Sequence, residues 1–193
     1  MDKSNTQQKK TIVSNYLYAT LVGLLVVACA LTIALTTGSG LNGAEVGPVV
    51  EVSGNTYMLP MQNATLQKDY SGSELQYNDT MKQWEIHKAI DFKAGENLDV
   101  MAVASGSVSK VYTNYLEGTV VEIAHSNGVV SIYKSLAKDV AVKVGDKVSA
   151  GAVIGKASDS MAQELNCGAH LHFEMTVNGV KVDPNNYLAL GEK

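Results

Sequence analysis

The sequence predicts an all-β, antiparallel domain preceded by a single transmembrane helix, and three observations lead there. Outside one long apolar run, the hydrophobic residues fall into short β-branched stretches with partial alternation, the period of a half-buried strand. Glycines and Asn-Gly pairs punctuate these stretches, which favours tight turns between neighbouring strands. The spacing leaves little room for long helices, so an antiparallel β arrangement is the natural packing.

The chain has 193 residues, room for one compact domain and an appendage. Residues 1–15 form a tail in which Lys3, Lys9 and Lys10 stand against a single Asp2. From Thr11 to Ala44 there is no Asp, Glu, Lys or Arg, and Tyr16 to Thr37 is an almost wholly apolar run of 22 residues. That length meets the roughly 20 residues a helix needs to cross the hydrocarbon core. Lysines next to a span favour the cytoplasmic side, so the remainder of the chain is expected on the opposite side. Two rivals are a signal peptide cut near Ala28–Ala30 and lipid attachment at Cys29. The run continues through Leu35, and Val26 and Val27 suit a lipoprotein cleavage box poorly, which favours an uncleaved anchor.

Residues 38–47, "GSGLNGAEVG", read as a short polar joint, and residues 48–193 as the extracytoplasmic domain. Cys167 has no second cysteine in that domain, so packing or a metal must stabilise it. From Glu45 onward 12 lysines face 18 acids, a formal balance of −6, which argues against nucleic-acid binding.

Within the domain, "PVVEVSG" reads as a strand, and the text from "NTYMLPM" to "ELQYNDTMKQ" as an irregular wrapping segment. Asn63 and Asn78 each match a glycosylation acceptor pattern. "LDVMAVASG", "SVSKVYTN", "GTVVEIAH" and "GVVSIYKSL" are strand-like, with a hairpin turn at "HSNG", residues 125–128, where His125 is expected to be solvated. Gly145, Gly151 and Gly155 separate three brief strands. "AHLHFEM" and "VNGVKVDP" supply another strand and another turn. "SDSMAQELN", residues 158–166, reads as an ordinary surface loop, with a helix or lid as the alternative.

Two stretches carry chemistry. His170 and His172 alternate on a strand, so both imidazoles point to one side while Leu171 and Phe173 enter the core. On its own such a pair is as well read as two polar residues on an exposed face. His87 and Asp91 in "HKAID" shift that balance, because zinc accepts imidazole nitrogen and carboxylate oxygen. His87, Asp91 and one histidine of the later pair would make three ligands, leaving the other histidine as a base. The blander reading of "HKAID" is a charged turn before a strand.

"HKAID" followed by "CGAHLHFE", with "VKVGDKVSAGAVIG" between them and "VDPNNYL" after, resembles the zinc-dependent M23 peptidases of the LytM or lysostaphin type, which cut peptide cross-bridges in bacterial cell walls. The resemblance covers residues 84–188 and implies an antiparallel LytM-type core. It implies Zn2+ held by His87, Asp91 and His172, with His170 beside the activated water. Glu174, on the face of His170 and His172, is a candidate to accept a hydrogen bond from a ligating histidine.

Three departures accompany the match. "YKSL" puts Ser135 where the family has a second catalytic histidine, and serine does not titrate near neutral pH. Ala89 and Ala169 stand where the family has glycine and proline. The narrower resemblance is to a sporulation branch of the family with a short tail, one span and a degenerate domain. That branch implies a forespore membrane protein with its domain in the intermembrane space. It also implies a mother-cell partner, stage III sporulation protein AH, and a ring-like hetero-oligomer serving a channel or engulfment. On this reading zinc is mainly structural and hydrolysis weak or absent, since loss of one general acid or base costs about 10² to 10⁴ in rate. The alternative is a membrane-anchored zinc endopeptidase cleaving peptidoglycan cross-bridges, with His125 or a partner's residue compensating for Ser135. Cys167 reads as a free structural thiol sooner than as a fourth ligand.

Overall fold

The computed structural model describes residues 57–189. The expected span at 16–37, the joint at 38–47 and the strand expected at 48–54 lie outside the described residues. Among the described residues, no helix is long and apolar enough to cross a membrane.

The described residues form twelve strands: β1 (Thr65–Lys68), β2 (Leu75–Asn78), β3 (Gln83–Ile86), β4 (Ile90–Lys93), β5 (Asp99–Met101), β6 (Gly106–Asn114), β7 (Gly118–Ala124), β8 (Val129–Leu136), β9 (Lys147–Val148), β10 (Val153–Lys156), β11 (His170–Val177) and β12 (Val180–Val182). The main sheet runs β1-β4-β11-β8-β7-β6-β9, with β12 paired to β11, and β10-β5 and β2-β3 form two small sheets. All these strand pairs are antiparallel, as the sequence predicts. The described helical turns are three short 3-10 segments.

Alternation positions the core. Along β8, Val129, Ser131, Tyr133 and Ser135 are buried while Val130, Ile132 and Lys134 are half-buried. Tyr133 meets Phe173 of β11 edge to face at 5.3 Å, and its hydroxyl accepts the Val103 amide at 2.9 Å. Leu171, Phe173 and Met175 all enter the core from β11. Burial of each such side chain contributes roughly 1.5–3 kcal/mol. A slip of one residue would turn all three outward, so the core fixes which way His170, His172 and Glu174 face.

The Asn-Gly turn forms as expected. Asn127 and Gly128 both take positive φ, 58° and 71°, which matches the twist of hairpin strands. Two readings need correction. The glycine-punctuated stretch holds two strands, β9 and β10, because Gly155 lies inside β10 and does not precede a third. The polar text before "HKAID" is a hairpin, β2–β3, and not an irregular wrap. Asn78 closes it: its Oδ1 accepts the amides of Thr80 and Met81, a side-chain mimic of a backbone turn. The hairpin is inverted relative to a simple pattern, with Leu75, Tyr77 and Trp84 exposed and Asn78 buried.

Candidate metal centre

The site is built on the pairing of β4 with β11, which sets Asp91 directly opposite His172. His87, just before β4, returns over the same spot, and its Nε2 lies 3.2 Å from Asp91 Oδ2. His172 Nδ1 lies 2.8 Å from Asp91 Oδ1. The two histidine rings stand at 81° with centroids 5.3 Å apart. A fourth group arrives from the 3-10 segment Ala162–Cys167: Glu164 puts Oε2 at 2.9 Å from His172 Nδ1 and Oε1 at 3.6 Å from His87 Nε2. One donor atom each from His87, Asp91, Glu164 and His172 lies within 4.8 Å of all the others, and all four residues are buried.

The contacts are short, yet His87 Nε2 and both Asp91 oxygens make no hydrogen bond. Buried polar atoms seldom go unpaired, because the lost solvation is not returned. Donor atoms that crowd together without hydrogen-bond angles are arranged as ligands round a common centre are. The set is imidazole nitrogen and carboxylate oxygen, a composition that suits a divalent transition metal.

The surrounding contacts hold the rings. His87 Nδ1–H donates to the Asp69 carbonyl at 3.1 Å, which leaves Nε2 for the cluster. His172 Nε2 lies 3.3 Å from Glu174 Oε1, and Glu174 is also paired with Lys134 at 2.9 Å and Lys181 at 2.8 Å. A carboxylate behind a ligating imidazole fixes its tautomer and raises its basicity. Replacing Glu174 by Gln is expected to weaken metal binding about 10- to 100-fold, measured by competition with a chelator; unchanged affinity would deny Glu174 this role. His170 sits beside the cluster: Nδ1–H donates to the Gly168 carbonyl at 2.8 Å, and Nε2 lies 3.4 Å from Glu164 Oε2.

Charges follow the geometry. Burial acts to raise the Asp91 carboxyl, but the His172 and His87 contacts outweigh it and leave it below the usual carboxylate range. Glu164 is driven well below that range against its burial, by His170 and His172. Burial acts to lower His172, but Asp91, Glu164 and Glu174 hold it well above the ordinary histidine value. His170 is likewise raised against its burial, by Glu164 and the Gly168 carbonyl.

A pH dependence follows. A histidine raised by folding stabilises the metal-free protein fully below its unfolded value of about 6.5, and that stabilisation is lost as pH rises through the raised value. A metal needs the neutral ring, so it competes with the proton at low pH. The rise in melting temperature produced by zinc is therefore expected to grow as pH rises from about 6.5 through the raised range of these histidines. A rise of the same size throughout that range would contradict the competition.

The expected residues fall as follows. His87, Asp91, His172 and His170 come together, whereas Glu164 had no spacing signal in the sequence. "SDSMAQELN" is not the expected surface loop, because Glu164 is buried against the histidines. Ser135 is fully buried with φ +61°, and its Oγ donates to the Ser158 carbonyl at 2.7 Å. It is a satisfied strand residue outside the four-membered group. The expectation of a degenerate centre, weak or inactive because of Ser135, is thereby corrected: the His-Asp-Glu-His group is complete and buried without position 135.

His125 is not solvated as expected. Its Nε2 is 2.7 Å from Ser131 Oγ, its Nδ1 is 3.0 Å from the Ser105 carbonyl, and burial lowers its pKa. Those contacts commit it elsewhere, so it does not stand in for a histidine at 135. Cys167 is a half-buried free thiol pushed up to about 11 by burial and by the Glu164 and Asp91 charges, and it is not one of the four clustered groups.

The model of peptidase family M23 matches residues 85–184, over half of the chain. With the antiparallel fold and the buried group, this defines the class: the chain belongs to peptidase family M23. Among individual relatives, it is 39% identical over 114 residues to stage II sporulation protein Q of Bacillus subtilis, covering 58% of this chain and 38% of that protein. It is 32% identical over 102 residues to the peptidoglycan DD-endopeptidase ShyC of Vibrio cholerae, covering 53% and 23% respectively. The chain thus spans less than two fifths of the length of either relative. Among solved structures, the SpoIIQ–SpoIIIAH pore-forming complex contains a chain that superimposes with a TM-score of 0.61 at 30% identity, covering 69% of this chain and 91% of that one.

Proposed function

We propose that this protein is a membrane-anchored zinc metalloendopeptidase that cleaves peptide cross-bridges of peptidoglycan. The observation that carries the reading is the convergence of His87 Nε2, Asp91 and His172 Nδ1 as buried, close ligand atoms, of which His87 Nε2 and both Asp91 oxygens make no hydrogen bond. These three are assigned as the zinc ligands. Zinc held there supplies a Lewis acid for a peptide carbonyl and activates water for attack.

The chain's own residues do the rest. His170 presents Nε2 toward the cluster, locked by its bond to Gly168, and is assigned to accept the proton of the attacking water and return it to the departing amine. Glu174 steadies His172. The buried setting excludes bulk water and strengthens each of these interactions. The remaining organisation follows the sequence: a tail at 1–15 in the cytoplasm, a span at 16–37, a joint at 38–47, and a domain from 48 outward with its core at 84–188. The 39% identity to the sporulation protein supports a forespore membrane with the domain in the intermembrane space. Likeness to the chain in the pore-forming complex supports a second class of partner beside peptidoglycan, a protein of the SpoIIIAH type in a ring-like hetero-oligomer.

The test is mass spectrometry of soluble peptides released when the zinc-loaded chain meets purified peptidoglycan. Cross-bridge fragments are expected, and they should vanish with a chelator and return with zinc. Absence of fragments from the zinc-loaded chain would contradict the proposal.

A further inference from the structure

Glu164 does not reach the cluster as part of a strand. It is carried by a strap, residues 162–167, that crosses between two walls of the cleft. On one side Asn78 Nδ2 donates to the Gln163 carbonyl at 3.1 Å, Thr80 Oγ1 accepts the Asn166 amide at 3.0 Å, and Asn166 Nδ2 donates to the Asp79 carbonyl at 3.1 Å. On the other side the amides of Ala162 and Gln163 donate to the Tyr115 and Leu116 carbonyls, each at 3.3 Å. Within the strap Glu164 alone is buried, while Leu165 and Asn166 are exposed. The strap therefore has little apolar anchorage, and its hold on the domain is polar at both edges and carboxylate at its centre.

Its position divides the cleft. One cavity of about 500 Å³ opens on the side of Gln67, Tyr77 and Cys167, and another of about 300 Å³ on the side of His87, His172 and Glu174. Glu164 lines both, so the carboxylate stands in the wall between them. Zinc sites with four protein ligands are closed, whereas hydrolytic sites keep one position for water. With His87, Asp91 and His172 as ligands, Glu164 fills the fourth position. The arrangement as it stands leaves no place for water or a peptide carbonyl.

We propose that Glu164 is a displaceable fourth ligand, and that the 162–167 strap closes the metal in the resting protein and must lift to join the two cavities into one substrate channel. The inference rests on the assignment of His87, Asp91 and His172 as ligands. It explains why a short polar segment buries a carboxylate against two histidines while its neighbours face solvent.

The experiment loads the full chain, in detergent micelles, with Co2+ and counts exchangeable water on the metal by water-proton relaxation. The wild type is expected to carry none and Glu164→Ala to gain one. A paired Thr80→Ala and Asn166→Ala variant, which keeps all four clustered groups, is expected to show exchangeable water on the metal that the wild type lacks. An exchangeable water already present on the wild-type metal overturns the gate while leaving the three-ligand assignment standing. Failure of the wild type to bind Co2+ overturns both. The wild-type count decides the matter even if Glu164→Ala does not fold.

Discussion

Replacing Asp91 by alanine is expected to abolish tight metal binding, with affinity falling by more than the roughly 100-fold attached to losing an outer partner of a ligand. Asp91 is fully buried and touches both His87 and His172, so no neighbouring carboxylate reaches the same place from the strand. Glu164 would remain in contact with both rings, and Glu174 with His172 only. The zinc-induced rise in melting temperature should disappear in this variant, because metal that binds only the folded state stabilises only while it binds. Titration of the variant with zinc, followed by thermal melts, checks both statements. A variant that binds zinc as tightly as the wild type would remove Asp91 from the ligand set.

Replacing His170 by alanine is expected to slow release of cross-bridge peptides by about 10² to 10⁴ while leaving bound zinc in place. The separation comes from geometry. His170 shares the buried face with His172, yet its Nε2 meets Glu164 and not Asp91, so it borders the cluster without belonging to its tightest set. Serine at 135 leaves His170 as the imidazole best placed for proton transfer, since His125 is engaged with Ser131 and Ser105. Paired measurements of metal content and product rate make the check. Loss of zinc together with activity would make His170 a ligand, and unchanged activity would remove it from the chemistry.

The sequence exposed the part of this site that obeys a period. Alternation along "HLHFEM" put His170, His172 and Glu174 on one face of β11, and the core side chains opposite them kept that face from slipping. His87 and Asp91 were legible from residue type joined to the later pair. Glu164 obeyed no period. It lies in a 3-10 segment with a kink at its own backbone (φ −132°, ψ 30°), and its burial depends on contacts to residues 78–80 and 115–116 that local text does not encode.

Ser135 misled for a related reason. The absence of a histidine at 135 suggests a degenerate centre, but the Ser135 hydroxyl is occupied by the Ser158 carbonyl and the clustered groups do not include it. The β2–β3 hairpin was missed because its pattern is inverted: its apolar side chains face outward and Asn78 faces inward to close the turn and hold the strap. Register and alternation are local properties of a strand, whereas a strap across a cleft is a tertiary one. The antiparallel class was therefore readable throughout, and the closure of the site was not.

The measurement that bears most directly on the account is the metal content of the full chain, by native mass spectrometry after equilibration with zinc, with X-ray absorption at the zinc edge on the same sample. One zinc per chain, surrounded by nitrogen and oxygen donors and no sulfur, is the result expected from His87, Asp91 and His172 with Cys167 left free. A chain that emerges without zinc, or with sulfur bound to it, would contradict the assignment on which the proposed chemistry stands.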